Sequence, residues 1–290
     1  MTQNRSVKKI IASALMGVAV TVSSACSPVN VLNTLVPANG YQLHADIAYG
    51  DLARQKLDVY QPKLKGQDLP VVVFFYGGSW DSGDKTDYKF AAEAFTSNGF
   101  ITVIPDYRVY PEVLFPGFMA DPASAAKWVK QNIQHYGGDP KRVFLVGHSA
   151  GAHIAVMLGL NTEYLAQVNL APNDFSGVIG SAGPYDFLPL KSTRLKEIFG
   201  DETQQLKSQP IEFVSGANPP MLLLVGLKDG TVWPRNTFNL ANKIKQAGGP
   251  VEVAEFPNYG HVDMAAKLAK PFRGGSRLLA SMVEFMHKHQ

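Results

Sequence analysis

One five-residue stretch constrains this chain more than any other. Gly147-His148-Ser149-Ala150-Gly151 matches G-x-S-x-G, and it stands between residues 142–147, which read as a strand, and residues from Ala152 onward, which read as a helix. A serine on a tight strand-to-helix turn needs small neighbours, because side chains at Gly147 and Gly151 would collide with nearby backbone. The turn then holds the hydroxyl toward solvent. The pentapeptide alone recurs by chance in many proteins; the strand before it and the helix after it give it weight.

The rest of the chain supplies a fold for that turn. Leu57-Asp58-Val59-Tyr60 alternates like a half-exposed strand, and residues 71–76 form a continuous apolar run suited to a strand covered on both faces. Further strands are expected at 101–105, 143–147, 178–181, 221–226 and 251–256. Helix-like stretches fall between or after them at 88–98, 121–135, 150–159, 235–247 and 275–287. The repeated β-α-β rhythm predicts an α/β fold, a mostly parallel sheet of about eight strands with helices on both faces. Ligands of such sheets bind at the carboxyl ends of the strands.

With 290 residues, 46% apolar and 18% charged, the chain fits one large globular domain, and disordered, collagenous and coiled-coil readings are excluded. The catalytic domain is expected to span 41–290. The longest interruption, 184–219, contains one short helix-like piece near 193–199 and reads either as a short lid or as a surface excursion with no part in binding.

Arg5, Lys8 and Lys9 form a basic head before an apolar run at 10–22 and the small residues Ser23, Ser24 and Ala25, the outline of a secretory signal over 1–25. The run is too short for a comfortable permanent span. Without that head, 24 basic residues face 24 acidic ones, so the cationic surplus that drives nucleic-acid binding is missing. Cys26 is the only cysteine, which excludes an internal disulfide, a Cys-rich zinc site and a cysteine nucleophile in the folded body. Ala25-Cys26 resembles the lipobox of bacterial lipoproteins, with Ser23 where leucine is usual, and Ser27 resembles the residue that follows the cysteine in outer-membrane lipoproteins. Lipidation of Cys26, with residues 26–40 as lipidated terminus and tether and an outer-membrane envelope location, is the favoured reading. Cleavage and release of a periplasmic or secreted protein is the alternative.

A serine hydroxyl needs a base, and the base needs an orienting group. In this kind of fold the chain order is Ser, acid, His. His261, in a loop after the strand at 251–256, is the expected base; His287 and His289 fall in the C-terminal tail, and His153 is expected to pack inside the fold. Asp229, three residues after the strand at 221–226, is the expected acid, with Asp186 and Asp201 in the 184–219 segment as rivals. Asp263 lies too near His261 in sequence, and Asp106 is expected to pair with Arg108. Acyl transfer also needs backbone N–H donors for the developing oxyanion. Ala150 should supply one. Phe75-Tyr76-Gly77-Gly78-Ser79-Trp80 resembles the HGGG-type loop, with Tyr76 in the histidine's place, and makes Gly78 and Ser79 the other donors.

With these residues in hand, the chain resembles the α/β-hydrolases. Within them it is similar to the carboxylesterase branch that includes hormone-sensitive-lipase-like esterases, feruloyl and acetyl-xylan esterases, prenylcysteine methylesterase and kynurenine formamidase. The resemblance rests on Leu57-Asp58-Val59-Tyr60 with Pro62, the loop 76–80, Gly83-Asp84-Lys85, Asp106-Tyr107-Arg108, Gly137-Gly138-Asp139-Pro140 and the stretch 147–151, and it runs to the C-terminus. It implies a serine esterase acting on a small-molecule ester with no metal and no organic cofactor. Trp80, Tyr107, Tyr185 and Trp233 are the aromatics expected to line its pocket, with Tyr110, Phe115 and Phe187 as further possibilities. An amide-cleaving relative, formamidase or exopeptidase-like, uses the same triad, and a silent envelope-binding lipoprotein is the reading from outside enzymology. Fold and triad do not separate esters from amides, and the sequence leaves the natural substrate and the oligomeric state open.

Overall fold

A computed structural model of the chain describes residues 33, 36, 37, 39–63 and 66–290. The expected signal sequence and the anchor at Cys26 lie outside the described residues. Eight strands form one sheet: β1 (Tyr41–Ala48), β2 (Lys56–Pro62), β3 (Leu69–Phe75), β4 (Ile101–Pro105), β5 (Gly138–His148), β6 (Gly177–Ser181), β7 (Met221–Gly226) and β8 (Val251–Phe256). Their spatial order is β1-β2-β4-β3-β5-β6-β7-β8. β2 runs antiparallel to both β1 and β4, and every pair from β4 through β3 to β8 is parallel.

Composition follows position in the sheet. The central strands β4, β6 and β7 are buried along their whole length, which requires side chains without charge on both faces. β1 is an edge strand with only Tyr41 buried, so its sequence carries no apolar run, and periodicity gives no sign of it.

The helices are α1 (Lys89–Thr96), α2 (Ala120–Asn132), α3 (Ala150–Leu160), α4 (Thr162–Ala166), α5 (Thr193–Phe199), α6 (Glu202–Lys207), α7 (Arg235–Gln246), α8 (Asp263–Ala266) and α9 (Leu278–Lys288). All eleven residues of α3 are buried, as its all-round apolar sequence demands. Among the described residues no helix is long and apolar enough to cross a membrane.

Residues 184–219 form a cap carrying α5 and α6. It is attached at several points. The side-chain oxygen of Asn236 accepts the N–H groups of Tyr185 and Asp186, both at 2.9 Å, while inside the cap Gln209 Oε1 accepts the N–H of Phe187 at 2.8 Å. Phe115 N–H donates to the Ile198 carbonyl at 3.0 Å, and buried Phe199 packs against Trp80, Phe115 and Phe187.

Candidate active site

Strand register brings the ends of β5, β6, β7 and β8 to one edge, with His148 opposite Ser181 and Gly226 opposite Phe256. Ser149 follows β5 at once, with φ +56° and ψ −122°, a left-handed backbone uncommon for a residue with a side chain. The surroundings enforce it. A Cβ on Gly147 would lie 2.1 Å from the Gly151 carbonyl oxygen, and one on Gly151 would lie 2.0 Å from that of Phe75. Ser149 N–H is held by the Ser181 carbonyl at 2.9 Å.

Three side chains converge there. Ser149 Oγ lies 2.9 Å from His261 Nε2, and His261 Nδ1 lies 2.8 Å from Asp229 Oδ2. Asp229 is almost fully buried, and its other oxygen accepts the N–H groups of Thr231 and Val232 at 2.9 and 2.8 Å. An anionic carboxylate with filled lone pairs fixes the imidazole with a proton on Nδ1, which leaves Nε2 free to accept the serine proton. The two loops are also tied together, since Leu227 N–H donates to the Phe256 carbonyl and Lys228 N–H to the Tyr259 carbonyl.

The other carboxylates weighed for the acid are occupied elsewhere. Asp186 accepts from Asn239, Asp201 caps α6 through Gln204 N–H, and Asp263 accepts Gly260 N–H. The expected Asp106–Arg108 pair does not form. Arg108 makes a bidentate pair with buried Asp121, while Asp106 turns inward to accept from Tyr76 Oη at 2.7 Å and Lys85 N–H at 2.8 Å. Past the end of β4 the chain no longer alternates, so residues two apart need not share a side.

His148 and His153 are both buried. His148 Nε2 donates to the main-chain carbonyl of His261 at 3.2 Å, with the two ring centres 4.9 Å apart. Burial, reinforced by the neighbouring His261, pushes His148 down to about 3. His153, on α3, donates from Nε2 to the Ser208 carbonyl of the cap at 2.8 Å, and burial pushes it down to about 4. Both rings are neutral near pH 7.

The loop after β3 passes beside the serine. A Cβ on Gly77 would lie 3.0 Å from Ser149 Cβ, and Gly78, at φ +136°, leaves no room for one because the Ser82 carbonyl oxygen would be 2.2 Å away. The Gly78 carbonyl accepts the N–H groups of Asp81 and Ser82, both at 3.0 Å. In a trans peptide the N–H points opposite to the C=O, so the Ser79 N–H is turned away from that turn. Behind the loop, Tyr107 Oη donates to the Tyr76 carbonyl at 2.7 Å, the two rings stack at 4.7 Å, and Arg54 donates to Tyr76 Oη at 3.0 Å. Burial raises both tyrosine hydroxyls well above their usual range, so they remain proton donors.

Ser149, Ala150 and Ser79 open into one cavity of about 570 Å³. Trp80, Pro184, Phe187, Pro189, Leu190 and Leu195 form its apolar wall, and Trp233, Lys191 and Arg235 also line it. Gly78 does not line it. Two of the four aromatics expected there are elsewhere. Tyr107 is buried under Tyr76, and Tyr185 packs its ring into the space left by Gly180 and Gly183. Tyr110 and Phe115 are also outside the lining; Arg194 covers the Tyr110 ring, and Phe115 is buried beside Phe118 and Phe199.

The family model described as BD-FAE matches residues 57–244. The chain belongs to the BD-FAE family. Its fold is that of the α/β-hydrolases, mostly parallel and covered by helices. The chain is similar to an isoprenylcysteine alpha-carbonyl methylesterase of Arabidopsis thaliana, 27% identical over 268 residues that cover 85% of this chain and 62% of that protein. A kynurenine formamidase of Danio rerio is 27% identical over 244 residues, covering 82% of this chain and 81% of the other. A truncated carbohydrate esterase from gut microbiota superposes with a TM-score of 0.76 at 20% identity, over 88% of this chain and 99% of that one, a likeness of fold. The chain spans between about half and two-thirds of the length of the methylesterase relatives.

Within this BD-FAE member, sequence reasoning missed most of the cavity wall. Pro184, Pro189, Leu190 and Leu195 sit in the cap, where no periodicity says which side chains face the serine. Thr231 and Val232 were within reach of it, because two N–H groups just after an aspartate are a common Asx-turn arrangement.

Proposed function

We propose that the chain is a serine hydrolase that cleaves carboxylic esters through an acyl-enzyme. The observation that carries this reading is the unbroken relay from Ser149 Oγ through His261 to Asp229, at 2.9 and 2.8 Å. His261 takes the Ser149 proton as Oγ attacks the ester carbonyl. Charge develops on the carbonyl oxygen, and the N–H groups of Ser79 and Ala150, with Gly78 in the adjoining turn, are the donors assigned to it. His261 then protonates the leaving alkoxide, the acyl group stays on Ser149, and a water deprotonated by His261 releases the acid.

The test is labelling by a fluorophosphonate probe together with turnover of 4-nitrophenyl butyrate. Ser149→Ala should abolish labelling and lower kcat by about 10⁶. An unlabelled wild-type protein without turnover of any ester would end the reading.

A second reading is formamide cleavage, favoured by the near-equal coverage of both chains in the match to a kynurenine formamidase. The same relay serves an amide, and the ratio of kcat/KM for a matched aryl ester and aryl formamide separates the two. A lipid anchor on Cys26 and an envelope location are a separate proposal that rests on the sequence. Cys26→Ser should move the protein from the membrane fraction to the soluble fraction, and unchanged fractionation would count against it.

A further inference from the structure

The residues that line the cavity include two cations, Lys191 and Arg235, and no aspartate or glutamate. The two come from different segments, Lys191 from the cap just after buried Leu190, and Arg235 from the first residue of α7. Among the described residues neither takes part in an ion pair; Arg235 lies instead over the ring of Trp233, 5.3 Å from its centre.

Arg235 is also on the unfavourable end of its helix. A helix N-terminus carries partial positive charge and favours acidic side chains, yet the first turn of α7 has none. Arg235 thus adds positive charge where the helix already supplies it, beside a cavity that is also lined by the apolar Trp80, Phe187, Leu190 and Leu195. Asp186, the nearest acid in the cap's first stretch, is held by Asn239 and does not line the cavity. An apolar wall next to the serine with two unneutralised cations complements a ligand that is greasy along its length and negatively charged at a point away from the reacting ester.

We infer that the preferred substrates are anionic amphiphilic esters, whose carboxylate is taken by Arg235 and Lys191 while the hydrocarbon or aryl part lies against Trp80 and Phe187. The inference rests on the esterase reading above. The carboxylate has two chemical sources, the acyl side, as in a half-ester of a dicarboxylic acid, or the alcohol side, as in an ester of a hydroxybenzoate.

The experiment compares matched pairs that differ only in charge. On the acyl side these are monomethyl and dimethyl esters of hexanedioic, octanedioic and decanedioic acids; on the alcohol side, 4-butyryloxybenzoate and its methyl ester. In one arm at least, the anionic member should have a kcat/KM about tenfold higher at low salt, the effect of two exposed charge pairs. The preference should shrink in 0.5 M NaCl, about the range where surface charges are screened within a few ångströms. Arg235→Glu with Lys191→Glu should reverse it. Neutral members hydrolysed as well as or better than anionic ones in both arms, or a preference that survives charge reversal, would overturn the inference.

Failure of the esterase reading looks different, since no pair would be turned over and Ser149 would not be labelled. For that case, calorimetric binding of decanoate and of decanamide to Ser149→Ala tests the charge preference without turnover. Tighter binding of decanoate, lost in the charge-reversed protein, supports the inference; equal binding overturns it.

Discussion

The sheet edge that carries Ser149, Asp229 and His261 and the cap that faces it are built in different ways. The edge is set by strand register, by glycines that a single Cβ would jam, and by loops tied through their own backbone. The cap hangs on a few side chains, chiefly Asn236 and His153, and on the packing of Phe199, and is braced within itself by Gln209. Reactive geometry thus belongs to the most heavily determined part of the molecule. The shape of the cavity belongs to a part held by a few side chains and by packing, so selectivity has room to vary while the relay stays fixed.

The sharpest way to break this contrast is at the edge. Asp229→Ala should lower kcat by about 10⁴ with little change in KM, because the imidazole loses its orienting partner but the cavity keeps its wall. If Asp229→Ala kept full activity while Asp201→Ala lost it, the acid would have to be sought in the cap.

A cap variant should behave in the opposite way. Asn236→Ala strands the N–H groups of Tyr185 and Asp186, and urea unfolding should show a loss of about 3 kcal/mol. Its KM for a short ester should rise about fivefold with kcat nearly unchanged, since the wall loosens and the relay does not.

His153 joins the two regions, and acid should weaken it. The folded protein keeps this ring neutral down to about pH 4, whereas in the unfolded chain it takes a proton below about 6.5. Its contribution is therefore whole above pH 6.5 and is lost as pH falls toward 4. Between pH 7 and 5 the loss is about 2 kcal/mol, and His153→Leu should lose less stability over that interval by this amount, measured by urea unfolding at both values.

The smallest effect is expected behind the loop that follows β3. Tyr107→Phe leaves the Tyr76 carbonyl without its donor but keeps the stacked ring, so kcat should drop about tenfold while KM holds. A change in KM alone would assign Tyr107 to the substrate side instead.

Much of this was legible in the sequence, and the gaps have a common cause. Buried strands such as β4 and β7 betray themselves by apolar runs, whereas β8, expected from a bounded run, is an edge strand with only Phe256 buried; chain order together with a place just after a strand favours Asp229 and His261 once Ser149 is placed. β1 went unseen because an exposed edge needs no apolar pattern. Helix α6 went unseen because none of its residues is buried. Tyr107 and Tyr185 stand among the expected pocket aromatics because sequence gives the identity of an aromatic and its distance from a motif but not the direction it faces. Here both face inward, one onto Tyr76 and the other onto Gly180 and Gly183. The same blindness to direction joined Asp106 to Arg108, which in fact serve Tyr76 and Asp121.

Two imidazoles sit within contact of each other at this site, and burial keeps one of them, His148, uncharged. His148 turns its Nε2–H to the main-chain carbonyl of His261 and adds no positive charge beside the relay, so it braces the loop that carries the other ring. A crowded pair of rings thereby divides its contacts, one meeting the serine and the other holding the main chain behind it.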